Sequence, residues 1–213
     1  MDATRRGRFI TLEGPDGAGK TTQAHLVAAI LRAHGKEVVT TREPGGTAVG
    51  NRLRQVLLDP ETPVQPTTET LLMFAARAEH VARVIEPALA AGRWVVCDRF
   101  TDSTFAYQGD GRGIAKGDIE ALAAFTHAGC WPDLTLCLDV PPATSAERMH
   151  ERTLDGFERE DGDFHRRVRE GFAKRAAKEA RIVVIDGSRA LDMVSRAVRN
   201  TVEAFIRRSE ATR

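Results

Sequence analysis

The sequence predicts an α/β fold: a three-layer sandwich whose five-stranded parallel sheet carries helices on both faces and a charged lid. Three observations predict it. Five short apolar runs, FITLE, EVVTT, WVVCD, LTLCLDV and RIVVID, alternate with longer stretches of helical pattern. The runs are rich in Val, Ile and Leu without polar alternation, as in strands buried on both faces. The segments between them are long enough for the right-handed crossovers that parallel pairing requires. At 213 residues the chain can bury one substantial core, so residues 1–213 are expected to form a single domain.

Taken in order, the first run ends at Glu13 and breaks into glycines. It then enters TTQAHLVAAILRAHG, a helix expected to start near Lys20 and stop on Gly35. The second run leads to Arg42-Glu43-Pro44-Gly45-Gly46, where proline and paired glycines force a tight turn. A proline-rich loop, Leu57 to Glu69, feeds a long helix near Thr68–Ala91. The third run ends on Asp98-Arg99. Ser103, Thr104 and Tyr107 follow Arg99 by four, five and eight residues, on or near one face of a helix. The fourth run ends on Asp139. The charged stretch from Glu151 to Phe164 then interrupts the helical pattern, and a mobile charged loop beside a phosphate site reads as a lid at about 148–162. In such sheets, ligands bind beyond the C-terminal ends of the strands, which is where these polar motifs fall.

The glycine turn carries the first chemical statement. Gly14-Pro15-Asp16-Gly17-Ala18-Gly19-Lys20-Thr21, followed by Thr22, fits G-x-x-x-x-G-K-[ST]. Its backbone N–H groups form a nest for phosphate oxygens, and the helix starting at Lys20 adds its positive dipole end. Lys20 can reach the β and γ phosphates of a nucleoside triphosphate, and the Thr21 hydroxyl can ligate Mg²⁺. Asp98, a carboxylate ending a strand beside this loop, suits a place near the ion and its waters. Arg99 offers a fork of donors at the binding edge of the sheet, which suits a phosphate.

Composition narrows the partners. A net charge of +1 gives no reason to expect nucleic acid or a membrane surface. No apolar run approaches a membrane span, and MDATRRGRFI lacks a signal-peptide core, so a cytoplasmic protein is expected. Cys97, Cys130 and Cys137 show no metal-ligand spacing, and no disulfide framework is expected; Cys97 and Cys137 read as small buried thiols. Basic residues are mostly Arg, so a single Arg marks a site only by its placement.

Four further segments, TREPGGT, MFAARAEHV, DRFTDSTFAYQGDGRG and DGFERED, together with the glycine loop, resemble the thymidylate kinase family in its bacterial form. The match runs in the family's order from about Phe9 to Phe172. The resemblance implies a P-loop NTPase fold and transfer of the ATP γ-phosphate to dTMP, giving dTDP, with Mg²⁺. It implies that Arg99 grips the acceptor monophosphate, with Arg42 and Glu43 near that phosphate and Mg²⁺, and a cis bond before Pro44. Asp16 would contact the sugar 3′-hydroxyl and help set Mg²⁺. Ser103 and Thr104 would contact the base, and Tyr107 would pack under the sugar where a 2′-hydroxyl clashes. Gln108 belongs to the same motif. Arg77 would meet a thymine carbonyl. The family's aromatic partner for the base falls at Met73 here, so either Phe74 stacks on thymine, the expectation adopted, or Met73 packs there instead. In the lid, Gly156 replaces a residue often basic in relatives. Arg152 is then the expected donor to the transferring phosphate, with Arg148 and Arg159 behind it; Asp155 and Glu158 would close over the nucleotide, Glu158 near Mg²⁺. A homodimer is implied as well. The rival readings are another nucleoside monophosphate kinase, or a nucleotide-dependent switch or partitioning ATPase without a small acceptor. A degenerate binding module does not suit the intact Lys20-Thr21 pair.

Overall fold

The computed structural model describes residues 6–149, 156–158 and 160–211. Five parallel strands form one sheet in the order β2-β3-β1-β4-β5: β1 Phe9–Glu13, β2 Val38–Arg42, β3 Trp94–Asp98, β4 Leu134–Asp139 and β5 Ile182–Asp186. Each coincides with one of the five apolar runs. β1 lies at the centre, with Leu12 beside Asp98 on β3 and Glu13 beside Cys137 on β4. The chain leaves in opposite directions from this strand, so the crevice for a ligand opens above its C-terminal end.

Side-chain alternation divides the core into two layers. Ile10, Leu12, Val96, Leu136 and Leu138 face α1 (Lys20–Ala33) and α9 (Leu191–Ala211), where Val27, Leu31, Val198 and Val202 are fully buried. Each such aliphatic side chain contributes about 1.5–3 kcal/mol on burial. Phe9, Val95 and Cys97 point the other way, towards Ile85, Leu89 and Phe100. Further along that face, Cys137 and Ile182 meet Tyr107, Phe164 and Phe172. All three cysteines are buried and free, Cys130 included.

The long helix near Thr68–Ala91 comprises α3 (Pro66–His80), a π-helical turn at Val81–Ile85 and α4 (Glu86–Ala90). Pro87 explains the wide turn. Its ring would collide with a carbonyl one turn earlier in a regular helix, and the π turn shifts the register just before it. A second π-helical segment, Phe105–Gly111, follows the short α5 (Thr101–Thr104) and holds Tyr107 and Gln108. Helix α8 (Gly162–Lys178) lies directly on it. Gly171 makes that approach possible, because a Cβ there would sit 2.9 Å from the Ala106 backbone. The remaining helices are α2 (Ala48–Leu58), α6 (Lys116–His127) and α7 (Pro142–Met149). Among the described residues, no helix is long and apolar enough to cross a membrane.

One buried charge cluster braces this face. Asp102, almost completely buried on α5, accepts from Arg181 at 2.7 Å and from Arg175 on α8 at 2.9–3.0 Å. It ties α5 to α8 and to the start of β5 directly behind the crevice.

Candidate active site

The loop after β1 wraps the crevice floor. Gly17 takes φ +72° and a Cβ there would meet the Ser145 carbonyl at 2.8 Å, so glycine is required at this turn. Gly17, Gly19, Lys20, Thr21 and Thr22 line a cleft of about 830 Å³. Gly14 and Pro15, expected on its wall, do not line it, and their carbonyls are already in use: Gly14 accepts from Arg99 Nη1 at 2.8 Å, and Pro15 accepts from Lys20 Nζ at 2.7 Å. Ala18 turns into the core. Burial, then the charge of Arg99, pushes the Lys20 ammonium down to about 8. The Thr21 hydroxyl donates to Asp98 Oδ2 at 2.6 Å. Arg42, Glu43, Arg148 and Glu158 line the same cleft.

Beside it lies a narrower pocket of about 70 Å³. Pro44, Leu58, Met73, Ser103, Tyr107, Gln108 and Phe157 line this pocket and not the cleft, while Asp16, Glu43, Arg54 and Arg99 line both. Arg99 sits at the junction in a left-handed backbone conformation, φ +71°. Its Nη2 pairs with Asp16 and donates to the Tyr107 hydroxyl at 3.0 Å; its Nη1 donates to Ser103 Oγ at 3.0 Å. Tyr107 in turn donates to Asp16 Oδ2 at 2.6 Å. Burial alone would raise the Asp16 carboxyl. Arg99, Lys20 and the Tyr107 hydroxyl outweigh that and hold it well below the usual carboxylate range. Glu13, wholly buried beneath, accepts from the Phe100 N–H at 2.7 Å and from the Ser103 hydroxyl. Its own burial and nearby Asp102 push its pKa up.

A second cluster anchors the turn after β2, where the bond between Glu43 and Pro44 is cis. Arg77 Nε donates to Glu43 Oε2 at 2.7 Å, and His80 bridges Glu43 Oε1 at 2.9 Å and Thr41 Oγ1 at 2.6 Å. Burial opposes ionisation of Glu43, but Arg77 and His80 hold its carboxyl below the usual range. Arg77 Nη1 and Gln108 Oε1 are buried polar atoms without a partner among the described residues.

Two expectations are corrected by these positions. Phe74 does not face the pocket; it is 1% exposed and packs against Phe105, Ile119 and Ala123, while Met73 lines the pocket. Neighbouring helical residues point about 100° apart, so α3 cannot turn both inward. Thr104 lies buried behind Ser103 and lines neither cavity. Arg77 is likewise interior, one turn on from Met73 with its guanidinium 4.8 Å from the Phe74 ring. Arg152, Asp155 and Arg159 lie outside the described residues. Sequence reasoning missed Arg54, His80 and Phe157 as members of these clusters, and noted Glu13 only as a polar strand end. His80 had a signal, since it stands one helical turn after Arg77 on the same face. Arg54 had none in a chain so rich in arginine.

A family model described as Thymidylate kinase matches residues 12–198. The thymidylate kinase of Methylobacillus flagellatus is 53% identical over 202 residues, covering 94% of this chain and 98% of that protein. That of Methylococcus capsulatus is 52% identical over 202 residues, covering 94% and 97%. Among solved structures, a thymidylate kinase from Ehrlichia chaffeensis superposes with a TM-score of 0.71 at 37% identity, covering 86% of this chain and 94% of that one. With the phosphate loop, the arginine junction and these relatives in agreement, the chain belongs to the thymidylate kinase family.

Proposed function

We propose that this chain transfers the γ-phosphate of ATP to dTMP, giving dTDP and ADP, as one kinase domain with residues 148–162 as its lid. The observation that carries the site assignment is the junction: the phosphate cleft and the narrow pocket meet at Arg99, Arg54, Asp16 and Glu43. An acceptor monophosphate placed there faces the triphosphate in line, held by two guanidiniums. The attacking phosphate oxygen is already anionic, so no general base is required, and catalysis is positioning and charge neutralisation. Lys20 serves the β and γ phosphates, Arg99 and Arg54 the acceptor phosphate, and Arg152 or Arg148 the transferring group. Asp16 exchanges its bonds to Arg99 and Tyr107 for the substrate sugar, whose 2′ side is closed by the Tyr107 ring.

The base end carries its own logic. Thymine presents an N–H donor beside a carbonyl acceptor. Gln108 Oε1 is a buried acceptor on the pocket wall without a partner among the described residues. Leaving that acceptor unmet is unfavourable, so pairing it favours a base that presents a ring N–H.

Thr21 Oγ1 and Asp98 Oδ2, 2.6 Å apart, are hard oxygen donors suited to Mg²⁺, with Asp16 and Glu158 on the same cleft. No cluster of three or more His, Cys, Asp or Glu side chains suited to a metal occurs among the described residues. A nucleotide-borne Mg²⁺ characteristically takes one or two protein groups and completes its shell with phosphates and water. Bound there, the ion would neutralise charge between the phosphates. Exposed Val49, Val56, Leu71 and Phe125 on the adjacent helices α2, α3 and α6 support a homodimer, which sedimentation would test. Three buried free thiols suit a cytoplasmic setting.

The decisive assay is ADP formation with ATP·Mg²⁺ and each of dTMP, dUMP, UMP, dCMP, AMP and GMP. Strong turnover with dTMP and weaker turnover with dUMP are expected. Equal stimulation by all six, or by none, overturns the reading.

A further inference from the structure

Gln108 is completely buried, yet its side chain forms part of the wall of the narrow pocket. An amide in that place can present either its carbonyl or its NH₂ group to a ligand, and the two choices read opposite bases. What fixes the choice lies one layer behind. Gln108 Nε2 donates at 2.8 Å to Oε1 of Glu69, a residue of the first turn of α3 that is itself only 4% exposed. The other oxygen, Glu69 Oε2, accepts from Arg112 Nη2 at 3.1 Å, and Arg112 Nη1 continues to Glu160 at 2.6 Å. The Arg112 guanidinium is donor-only and lies 4.8 Å from the Phe164 ring, which limits its freedom to leave. A carboxylate paired with a guanidinium has acceptors and no proton to give. It can take the amide NH₂ and rejects the amide carbonyl.

We infer that Glu69 is a specificity-determining positioning residue: held by Arg112, it locks the Gln108 amide so that its carbonyl is offered to the base. The pocket then demands a hydrogen-bond donor at the ring nitrogen between the two exocyclic positions. Thymine and uracil supply one, whereas cytosine presents a lone pair there and meets the Gln108 carbonyl lone pair to lone pair. Glu69 touches no substrate atom; it acts through Gln108. The inference rests on the reading of the narrow pocket as the nucleoside site of a dTMP kinase.

The test compares kcat/KM for dTMP, dUMP and dCMP in the unaltered enzyme and in Glu69→Gln. The neutral amide of the variant can donate or accept, so Gln108 is free to turn. The dTMP to dCMP ratio is expected to fall by about tenfold or more, with the dTMP to dUMP ratio unchanged because both bases carry the same imide edge. A purely structural role lowers all three by one factor and leaves both ratios intact, and that result overturns the inference. Glu69→Asp gives a second route, since it keeps the charge beside Arg112 but falls a methylene short of Gln108; the same ratio should fall. In a Gln108→Met background, adding Glu69→Gln should leave the dTMP to dCMP ratio where Gln108→Met put it, because the two residues act in series. A further fall there counts against the inference. If the unaltered enzyme already uses dCMP as well as dTMP, the nucleoside reading itself fails, a result distinct from an unmoved ratio in the variants.

Discussion

The phosphate cleft is open, about 830 Å³, and lined by a backbone loop with charged tips around it. The pocket beside it is narrow, about 70 Å³, and its polar side chains are bonded to one another before any ligand arrives. On the proposed function, the difference follows from what each would recognise. A phosphate is a charge with several equivalent oxygens, so backbone N–H groups and mobile cations suffice, and they can come from one stretch of chain. A base edge is a directional pattern, and reading it needs side chains whose orientation is fixed by others. The cleft therefore holds its strain as charge, and the pocket holds its order as a network.

Breaking the cleft gives the largest expected effect. Lys20→Met should lower turnover about a thousandfold or more, because it removes the cation beside the transferring phosphates. The same variant should be more stable when ligand-free. In the fold, burial pushes the Lys20 ammonium down from 10.5 to about 8, so the folded state is reluctant to hold that proton. The unfolded chain holds it up to the ordinary lysine range. Below about pH 8 the charged lysine thus destabilises the fold by up to about 3 kcal/mol, a penalty that fades as pH rises from 8 towards 10.5. Thermal melts of both proteins at pH 7 and pH 10 check this: the Lys20→Met advantage should be clear at the lower pH and smaller at the higher. Equal melting temperatures at pH 7 would show that the cleft carries no such strain.

Arg99 joins the two regions, and its loss should show in both. Arg99→Met is expected to lower kcat/KM for dTMP about a hundredfold by removing one of the two junction guanidiniums. It also leaves Asp16 without its principal counter-charge, which should reduce stability by about 3 kcal/mol. Denaturant melts beside the kinetics separate the two effects. Full retention of stability would mean that Asp16 finds a sufficient partner in Lys20, 3.9 Å away.

Within the pocket, Tyr107 has a ring and a hydroxyl with separate jobs. The hydroxyl donates to Asp16, and the ring packs edge-on to Phe157, Phe164 and Phe172. Tyr107→Ala should relax discrimination against the ribonucleotide of thymine by about tenfold, because it opens the space where a 2′-hydroxyl would clash. Tyr107→Phe should keep that discrimination. Paired assays with dTMP and its ribo counterpart decide it, and an unchanged ratio in the alanine variant removes the steric argument.

The same contrast explains how far the sequence could be read. The sheet was legible because five apolar runs need no partner to declare themselves. The phosphate loop was legible because all its parts lie between Gly14 and Thr22. The residues lining the pocket were named in advance only where a motif marked them: Asp16, Glu43, Pro44, Met73, Arg99, Ser103, Tyr107 and Gln108. Its orienting layer joins residues distant in the chain: Glu13 to Ser103, Glu43 to Arg77 and His80, and Glu69 to Gln108. No local pattern distinguishes Glu69, on the first turn of a helix, from an ordinary dipole-favouring acid. Arg54 was hidden by abundance, since one arginine among many acquires meaning only when α2 carries it to the junction. The misplacement of Phe74 has a different origin. Periodicity put Phe74 and Arg77 on one face correctly, but it does not say whether that face looks into the pocket or into the protein.

That last ambiguity yields the smallest and most discriminating comparison. Met73 lines the pocket, whereas Phe74 is sealed among Phe105, Ile119 and Ala123 beneath Arg77. Met73→Ala trims a flexible apolar surface from the pocket wall and should raise KM for dTMP about threefold, with kcat and melting temperature little changed. Phe74→Leu should do the reverse. It removes an aromatic contact from a closed cluster, lowering stability by about 1 kcal/mol, while KM stays near its original value. Measured together, the two variants assign the base-facing position without a ligand in place. If Phe74→Leu raises KM and leaves stability alone, α3 must rotate when dTMP enters, and the orientation of the helix in the ligand-free protein is then a resting state that substrate binding overturns.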